Sequence, residues 1–299
     1  MNILVTGGAG YIGSATVKRL VEEGYSVVVI DNLSKGKKEY IDQKAKFYHG
    51  DLCDVNFLNV VFFENKIDAV MHFAAYKSVP ESDKDPVKYS QNITGTINLL
   101  NLMVKYCIKK IIYSSSAAVY GNPQYLPIDE DHPTNPINFY GFTKLECEQI
   151  INWYSRTKGI VGVCLRYFNV IGDAGLNYPK DGEEDIYSVI LDVVNGKKKE
   201  LIIYGNDYDT KDGTCVRDYI ELKDLVKAHL SALNLNNSNI FNLGSGRGIT
   251  ILELIRRVEK ETGKIVNYRF GPRREGDIVV STAVFEKAKK NLGFYFQMS

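Results

Sequence analysis

Short runs of consecutive apolar residues alternate with stretches of helical periodicity over the first half of the chain. Residues 3–6 form one such run and end in glycines; 26–30, 46–49, 69–73, 110–114 and 162–166 repeat the pattern. Between them, 14–23 has helical spacing and halts at Gly24, and 85–105 and 143–157 are longer helical stretches. Continuous apolar strands separated by helices predict a parallel sheet covered on both faces, because only a strand buried on both sides dispenses with polar alternation. The fold class is therefore α/β, a Rossmann-like doubly wound parallel sheet. After about residue 170 the alternation loosens into loops rich in Gly, Asp and Asn, with helices over 186–195, 222–234 and 251–262 and a strand over 239–243. This part reads as a smaller C-terminal α/β substrate lobe. The division falls at 1–169 and 170–299, with segments near 221–245 packing back on the first domain.

Composition narrows the partners. Of 299 residues, 44% are hydrophobic and 24% charged, enough for a sizeable core. Lys+Arg 37 against Asp+Glu 36 leaves a net charge of +1, so no global field steers nucleic acid to the chain. No apolar run reaches the roughly 18 residues of a membrane span, and the N-terminus enters a strand without a signal-peptide pattern. Five scattered cysteines without a CxxC spacing point to free thiols in a reducing, cytoplasmic setting. His49, His72, His132 and His229 are far apart in sequence and read as ordinary core or surface residues, so no metal site is expected.

Two motifs carry chemistry. The first strand runs into Thr6-Gly7-Gly8-Ala9-Gly10-Tyr11-Ile12-Gly13 and then a helix. Gly7, Gly10 and Gly13 allow a tight turn, close approach to a pyrophosphate and close helix–strand packing, and the helix N-terminus supplies N–H groups. Asp31 ends the second strand at the spacing of a dinucleotide fingerprint, where a carboxylate takes ribose hydroxyls and repels a 2′-phosphate; this favours NAD over NADP. Asp51, after the third strand, is placed to border the adenine. The second motif is Tyr140-Gly-Phe-Thr-Lys144, which puts a phenol and an ammonium at i and i+4 on one helix face. Moving a Tyr pKa from about 10 to near 7 takes roughly 4 kcal/mol, which Lys144 and a cationic nicotinamide could share. The YxxxK spacing also occurs at Tyr40, Tyr106, Tyr154 and Tyr219. Tyr140 is distinguished by the hydroxyl cluster Ser114-Ser115-Ser116 at the C-terminal end of the fifth strand, the edge where cofactor and substrate gather in a doubly wound sheet. Ser116 is positioned there to hydrogen-bond a reacting oxygen and relay its proton.

With these motifs the chain resembles the extended short-chain dehydrogenase/reductase family, and within it the 4-epimerases of UDP-glucose and UDP-galactose. The resemblance runs from residue 1 to about 290. It rests on Val-Thr-Gly-Gly-Ala-Gly-Tyr-Ile-Gly (5–13), Asp-Asn-Leu-Ser (31–34), His-Phe-Ala-Ala (72–75), Ser-Ser-Ser-Ala-Ala-Val-Tyr-Gly (114–121), Leu-Arg-Tyr-Phe-Asn (165–169), Tyr-Gly-Asn-Asp-Tyr (204–208), Asp-Gly-Thr-Cys-Val-Arg-Asp-Tyr-Ile (212–220), Asn-Leu-Gly-Ser-Gly (242–246) and Pro-Arg-Arg-Glu-Gly-Asp (272–277).

The resemblance implies an NAD site lined by Gly7, Gly10, Tyr11, Ile12, Gly13, Asp31, Asn32, Asp51, Leu52, Phe73, Ala74, Ala75, Lys77, Asn92, Ser114, Tyr140, Lys144 and Tyr167. It implies proton chemistry by Ser116 and Tyr140 with Lys144 beside them. It places Lys77, Ser116, Tyr140, Phe168, Asn169, Arg217, Tyr219, Arg273, Asp277 and Ser281 against the UDP-sugar. The residue types suit these roles: forked guanidiniums neutralise a diphosphate, and Asp277 can accept from ribose hydroxyls. The implied reaction inverts C4 of a UDP-hexose through a transient 4-keto sugar, with NAD regenerated each turnover. A homodimer is implied as well, joined through the 85–105 and 143–157 helices, where Ile93, Ile97, Leu100 and Val104 have helical spacing.

The chain departs from the family pattern at Asp185, where an Asn near the diphosphate is common, and at Ser281, where some members carry a sugar-pocket tyrosine. It also stops soon after Asn-Leu-Gly-Phe (291–294), where members continue further. Ser281 in place of a ring leaves room for an N-acetyl group at C2. Alternatives remain: a 4-epimerase of another UDP sugar such as a UDP-uronate, a nucleotide-sugar dehydratase, or a non-enzymatic dinucleotide sensor. The dehydratase reading lacks the carboxyls that C5 or C6 chemistry needs after Ser116, since Ala117 and Ala118 stand there. The sensor reading leaves Ser116, Tyr140 and Lys144 without a purpose.

Overall fold

A computed structural model describes residues 1–174, 185–274 and 276–293. The first strand, β1 (Asn2–Thr6), leads through the glycine loop into α1 (Tyr11–Glu22), and β2 (Ser26–Asp31) and β3 (Lys46–His49) follow. Next come α2 (Val55–Glu64), β4 (Ala69–His72), the single turn α3 (Val79–Ser82), α4 (Pro86–Lys105), β5 (Lys110–Ser116), α5 (Phe139–Lys158) and β6 (Val161–Tyr167). The remainder holds β7 (Asn169–Ile171), α6 (Ile186–Val194), β8 (Leu201–Tyr204), β9 (Val216–Glu221), α7 (Leu222–Ala232), β10 (Asn239–Leu243), β11 (Gly248–Thr250), α8 (Ile251–Thr262), β12 (Tyr268–Gly271), β13 (Val280–Ser281) and α9 (Glu286–Leu292).

The central sheet is seven-stranded in the order β10-β6-β5-β4-β1-β2-β3, with every pairing parallel. This is the doubly wound sheet that the apolar runs predict. Val5, Met71, Ile112, Leu165 and Leu243 face one apolar core, together with residues of α1, α7 and α9. Leu4, Val70, Ile111 and Cys164 face the other, with residues of α2, α4 and α5. Strand order reverses between β1 and β4, so the crevice outside their C-terminal ends is where a doubly wound sheet holds its ligand.

Local signals set the helix starts. Asp85 caps α4 by accepting from Lys88 N–H at 3.0 Å, with Pro86 in the first helical turn. Asn138 caps α5 by accepting from Gly141 N–H at 2.8 Å, so this helix begins at Phe139, ahead of the expected 143. The helix after the glycine loop likewise starts at Tyr11 rather than 14.

The second half does not form one continuous lobe. β10 extends the first sheet beside β6, and α7 contributes Leu225, Val226 and Ala228 to the first core. The separate part consists of β7, β11 and β13 against β9, the pair β12–β8, and a core of Ile190, Ile203, Tyr219, Leu254 and Val258. On α4, Leu100 is fully buried in the sheet's core, and Ile93 and Val104 pack against it. Most of that apolar stripe therefore covers the chain's own sheet. The apolar side chains that α4 and α5 leave exposed are Val87, Phe142 and Trp153.

Candidate active site

The glycine loop is built for close approach. Gly7 has φ +72°, and a Cβ there would lie 2.6 Å from the Ala74 backbone nitrogen, across the switch between β1 and β4. A Cβ on Gly13 would lie 2.1 Å from the Gly7 carbonyl oxygen. At Gly10 the nearest atom would be 3.4 Å away, so the loop's outer side is open. Gly10 caps α1 without a side-chain hydrogen bond, and the first turn carries no acid. The helix thus presents unsatisfied N–H groups and its positive end, the requirement for a pyrophosphate.

Asp31 is buried. Its Oδ2 accepts from Ala9 N–H at 3.0 Å and its Oδ1 from Leu33 N–H at 2.8 Å. It ties the loop to β2 and keeps lone pairs for a ribose. Burial pushes its carboxyl up, against those two hydrogen bonds. Asn32 Nδ2 donates to Asp51 Oδ2 at 2.7 Å. Burial raises the Asp51 carboxyl, but bonds from Cys53 N–H and Asn32 outweigh it and hold the group low. Leu52 is buried beneath this rim, Ile12 packs on the first core, and Tyr11 Oη donates to the Gly172 carbonyl. Phe73, Ala74, Ala75 and Lys77 follow β4, with Lys77 exposed. Asn92 on α4 braces that loop: it accepts from Tyr76 N–H at 2.9 Å and donates to Tyr76 O at 3.0 Å.

Ser114, Ser116, Tyr140, Lys144 and Tyr167 converge at the ends of β5 and β6. Lys144 is 2% exposed and its Nζ donates to the Ser114 carbonyl at 2.6 Å. Burial pulls its ammonium down to about 8, while neighbouring Cys147 and Glu148 pull it the other way. Its Nζ lies 5.8 Å from the Tyr140 ring centroid. The Tyr140 phenol is pushed up by burial, while the neighbouring Ser116 hydroxyl pulls it down. Desolvation of the phenolate is the larger of these two effects. Ser116 also accepts from Ala118 N–H at 3.2 Å, fixing the turn that follows.

Residues without a sequence signal complete the site. His229 on α7 is fully buried and burial holds its imidazole down to about 4. With Nδ1 bonded to the Leu225 carbonyl at 2.9 Å, Nε2 is left to accept from Tyr167 O–H at 2.6 Å. Its ring lies 4.7 Å from Phe73, so it props two residues of the expected cofactor wall. Asp218 accepts from Ser245 N–H, Ser245 Oγ, Gly246 N–H and Ala283 N–H, all within 3.0 Å. It binds β9 to the segments on either side and so holds Arg217 in place.

In the second lobe, Arg217 pairs in register with Ser281, and its Nη2 lies 3.8 Å from Asp277 Oδ1. Arg273 donates to Asp207 Oδ1 at 2.7 Å and stacks over the Tyr208 ring at 4.3 Å. Both guanidiniums thus have acidic neighbours that a diphosphate must compete with. Phe168 is buried against Val119 and Ile128, while Asn169 is exposed one residue on. Tyr219 is 1% exposed, yet its hydroxyl has no hydrogen-bond partner among the described residues. An orphaned buried donor beside Arg217 suits an oxygen-rich ligand. Asp185 caps α6, accepting from Ser188 N–H at 2.9 Å. An Asn would fill the same cap, so the helix start is compatible with either residue. The neighbouring loop, 175–184, lies outside the described residues, as does 294–299.

Comparison with known proteins gives the family and the fold. Residues 3–244 match the NAD dependent epimerase/dehydratase family. The chain is 47% identical over 302 residues to UDP-glucose 4-epimerase of Lacticaseibacillus casei, covering 98% of this chain and 91% of that protein. It is similar to the crystal structure of UDP-glucose 4-epimerase from Bifidobacterium longum in complex with NAD+ and UDP, with TM-score 0.93 and 40% identity over 100% of this chain and 94% of the other. The UDP-Glc/GlcNAc 4-epimerase from Campylobacter jejuni is also similar, with TM-score 0.86, 37% identity and coverage of 100% and 94%.

Proposed function

The chain belongs to the NAD-dependent epimerase/dehydratase family, and we infer from that membership that it is an NAD-dependent isomerase inverting the C4 hydroxyl of a UDP-hexose. The observation that carries the reading is the convergence of Ser116, Tyr140 and Lys144 at the C-terminal edge of β5, next to a glycine loop whose helix N-terminus has no side-chain cap.

The glycine loop, Asp31, the Asp51 rim and the Phe73–Asn92 wall would hold NAD, which would supply reversible hydride chemistry at the sugar C4. Tyr140 removes the proton from the 4-hydroxyl, and Ser116, beside that phenol, relays it. A cationic nicotinamide beside Tyr140 would favour the phenolate and so oppose the raising by burial. Arg217 and Arg273 exchange Asp277 and Asp207 for the substrate diphosphate. The 4-keto sugar then turns within the lobe and takes its proton back from Tyr140 on the other face. Ser281, buried and in register with Arg217, leaves space at the sugar C2 for an acetamide, so the N-acetyl sugars are substrates as well. The active form is a cytoplasmic homodimer joined through α4 and α5, whose exposed Val87, Phe142 and Trp153 support that surface; sedimentation as a monomer at micromolar concentration would reject it.

The test is incubation of the purified chain with UDP-galactose and UDP-N-acetylgalactosamine, reading C4 configuration by NMR. Both convert to the gluco forms. Activity on UDP-galactose with none on the N-acetyl sugar refutes the Ser281 reading, and no conversion of either refutes the whole.

A further inference from the structure

A buried ion pair lies directly behind the reacting groups. Glu148 stands one helical turn beyond Lys144 on α5, and its side chain is 3% exposed, that of Arg166 on β6 4%. The guanidinium grips the carboxylate with two parallel bonds, Nε to Oε1 at 3.0 Å and Nη2 to Oε2 at 2.6 Å. Ser115 Oγ donates to the same Oε1. Arg166 Nη1 donates to Tyr120 Oη at 2.9 Å, and Tyr120 Oη donates to Asn242 Oδ1 at 2.6 Å. One network therefore spans β5, α5, β6, β10 and the turn after β5.

Two charges taken out of water are costly, and a well-packed apolar pair is often as stable, so the fold alone gives weak reason for this pair. Its placement gives a better one. Side chains alternate along β5, so Ser115 faces α5 while Ser114 and Ser116 face the other way. The pair pins α5 to the middle serine, and the outer serine meets Tyr140. Sliding α5 along the strand would part Tyr140 from Ser116. We propose that Glu148, held by Arg166 and Ser115, is a positioning residue for the epimerisation, fixing α5 on β5 and supplying the countercharge to Lys144. The proposal rests on the assignment of Ser116, Tyr140 and Lys144 to the proton chemistry.

The groups facing Lys144 leave few other sources of that charge. From β5 come the Tyr113 ring, 4.9 Å away, and the Ser114 carbonyl. From β4 comes His72, which burial holds neutral. From α5 itself come Tyr140, Cys147 and Glu148; burial raises the Cys147 thiol and keeps it protonated. Glu148 is the anion in this set.

The experiment compares Glu148→Gln, Glu148→Asp and the apolar double variant Glu148→Leu/Arg166→Met with wild type, using the NAD-loaded enzyme and UDP-galactose. Glu148→Gln keeps the shape and removes the charge. It lowers kcat about 10-fold with KM within about 2-fold, and shifts the alkaline limb of the kcat–pH profile to lower pH, because the ammonium has lost its countercharge. Glu148→Asp keeps the charge and shortens the arm, lowering kcat without moving the limb. The double variant retains NAD and a cooperative melt but not wild-type kcat. Wild-type kcat and an unmoved limb in Glu148→Gln overturn the proposal, as does a fully active double variant. Tyr140→Phe run alongside separates the cases: if it stays active, the underlying site assignment has failed rather than the role of Glu148.

Discussion

Replacing Gly10 and Gly13 one at a time separates the glycine loop's own packing from its contact with a cofactor. A methyl on Gly13 lands 2.1 Å from the Gly7 carbonyl oxygen and 3.0 Å from Gly8 Cα, both backbone atoms that cannot rotate away. Overpacking of that kind costs about 1–3 kcal/mol, so Gly13→Ala melts several degrees lower. A methyl on Gly10 meets nothing closer than 3.4 Å, and φ −83° with ψ 175° suits alanine. The reduced freedom of the unfolded chain favours Ala by roughly 0.4–1 kcal/mol, and glycine is the better helix cap by a similar amount. Gly10→Ala therefore leaves the apo-protein's stability within about 1 kcal/mol of wild type. That methyl does stand on the open side, between a pyrophosphate and the N–H groups of α1. Losing about 1–3 kcal/mol of binding there weakens NAD roughly 5- to 150-fold. Calorimetric melting gives the stabilities, and titration of NAD into apo-protein gives the affinities. Wild-type NAD affinity in Gly10→Ala refutes the assignment of this loop to the pyrophosphate, whatever Gly13→Ala does.

Tyr140→Phe lowers turnover about 10²–10⁴-fold, while Tyr106→Phe and Tyr154→Phe, whose hydroxyls bond Asn59 and Asn101 away from the site, stay within a few-fold; equal losses in all three mean the wrong phenol was chosen. Ser281→Tyr abolishes turnover of UDP-N-acetylgalactosamine and spares UDP-galactose, and an unchanged ratio of the two rates places the selectivity elsewhere. Stability falls as pH drops from 6.5 towards 4, because burial lowers His72 to about 3 and His229 to about 4 from an ordinary 6.5. The unfolded chain takes up protons there that the folded chain refuses, so the contribution is present above pH 6.5 and lost on acidification, at up to about 1.4 kcal/mol per pH unit for each histidine. Denaturant titrations across this range check it, and a His229→Gln variant with an equally steep acid loss contradicts the assignment to His229.

Features that depend on local spacing were legible in the sequence. The apolar runs predict the parallel sheet because a strand buried on both faces leaves a continuous signature. The glycine loop and the Tyr140–Lys144 pair are close in the chain, and the serine cluster announces the end of β5. Glu148–Arg166 and Asp218 leave no such trace, since each becomes meaningful only when distant strands bring its partners together. His229 is similar: in sequence it reads as an ordinary core or surface histidine, and only the packing of α7 makes it the partner of Tyr167. The small strands of the second lobe were missed because β11 and β13 span two or three residues, too few for any period to show. Helical spacing alone does not distinguish a face covering the sheet from one covering a second subunit; on α4, Leu100, Ile93 and Val104 turn to the sheet's core.

The most direct test of the central claim follows the hydrogen on C4. UDP-galactose carrying deuterium at C4 is incubated with purified protein in ordinary water without added NAD, and the products are read by NMR. The account predicts UDP-glucose with the deuterium still on C4, since that hydrogen leaves and returns with its electrons while Tyr140 exchanges only the hydroxyl proton. UDP-glucose that has lost its label to solvent, a 4-keto-6-deoxy product, or no inversion at C4 would contradict it.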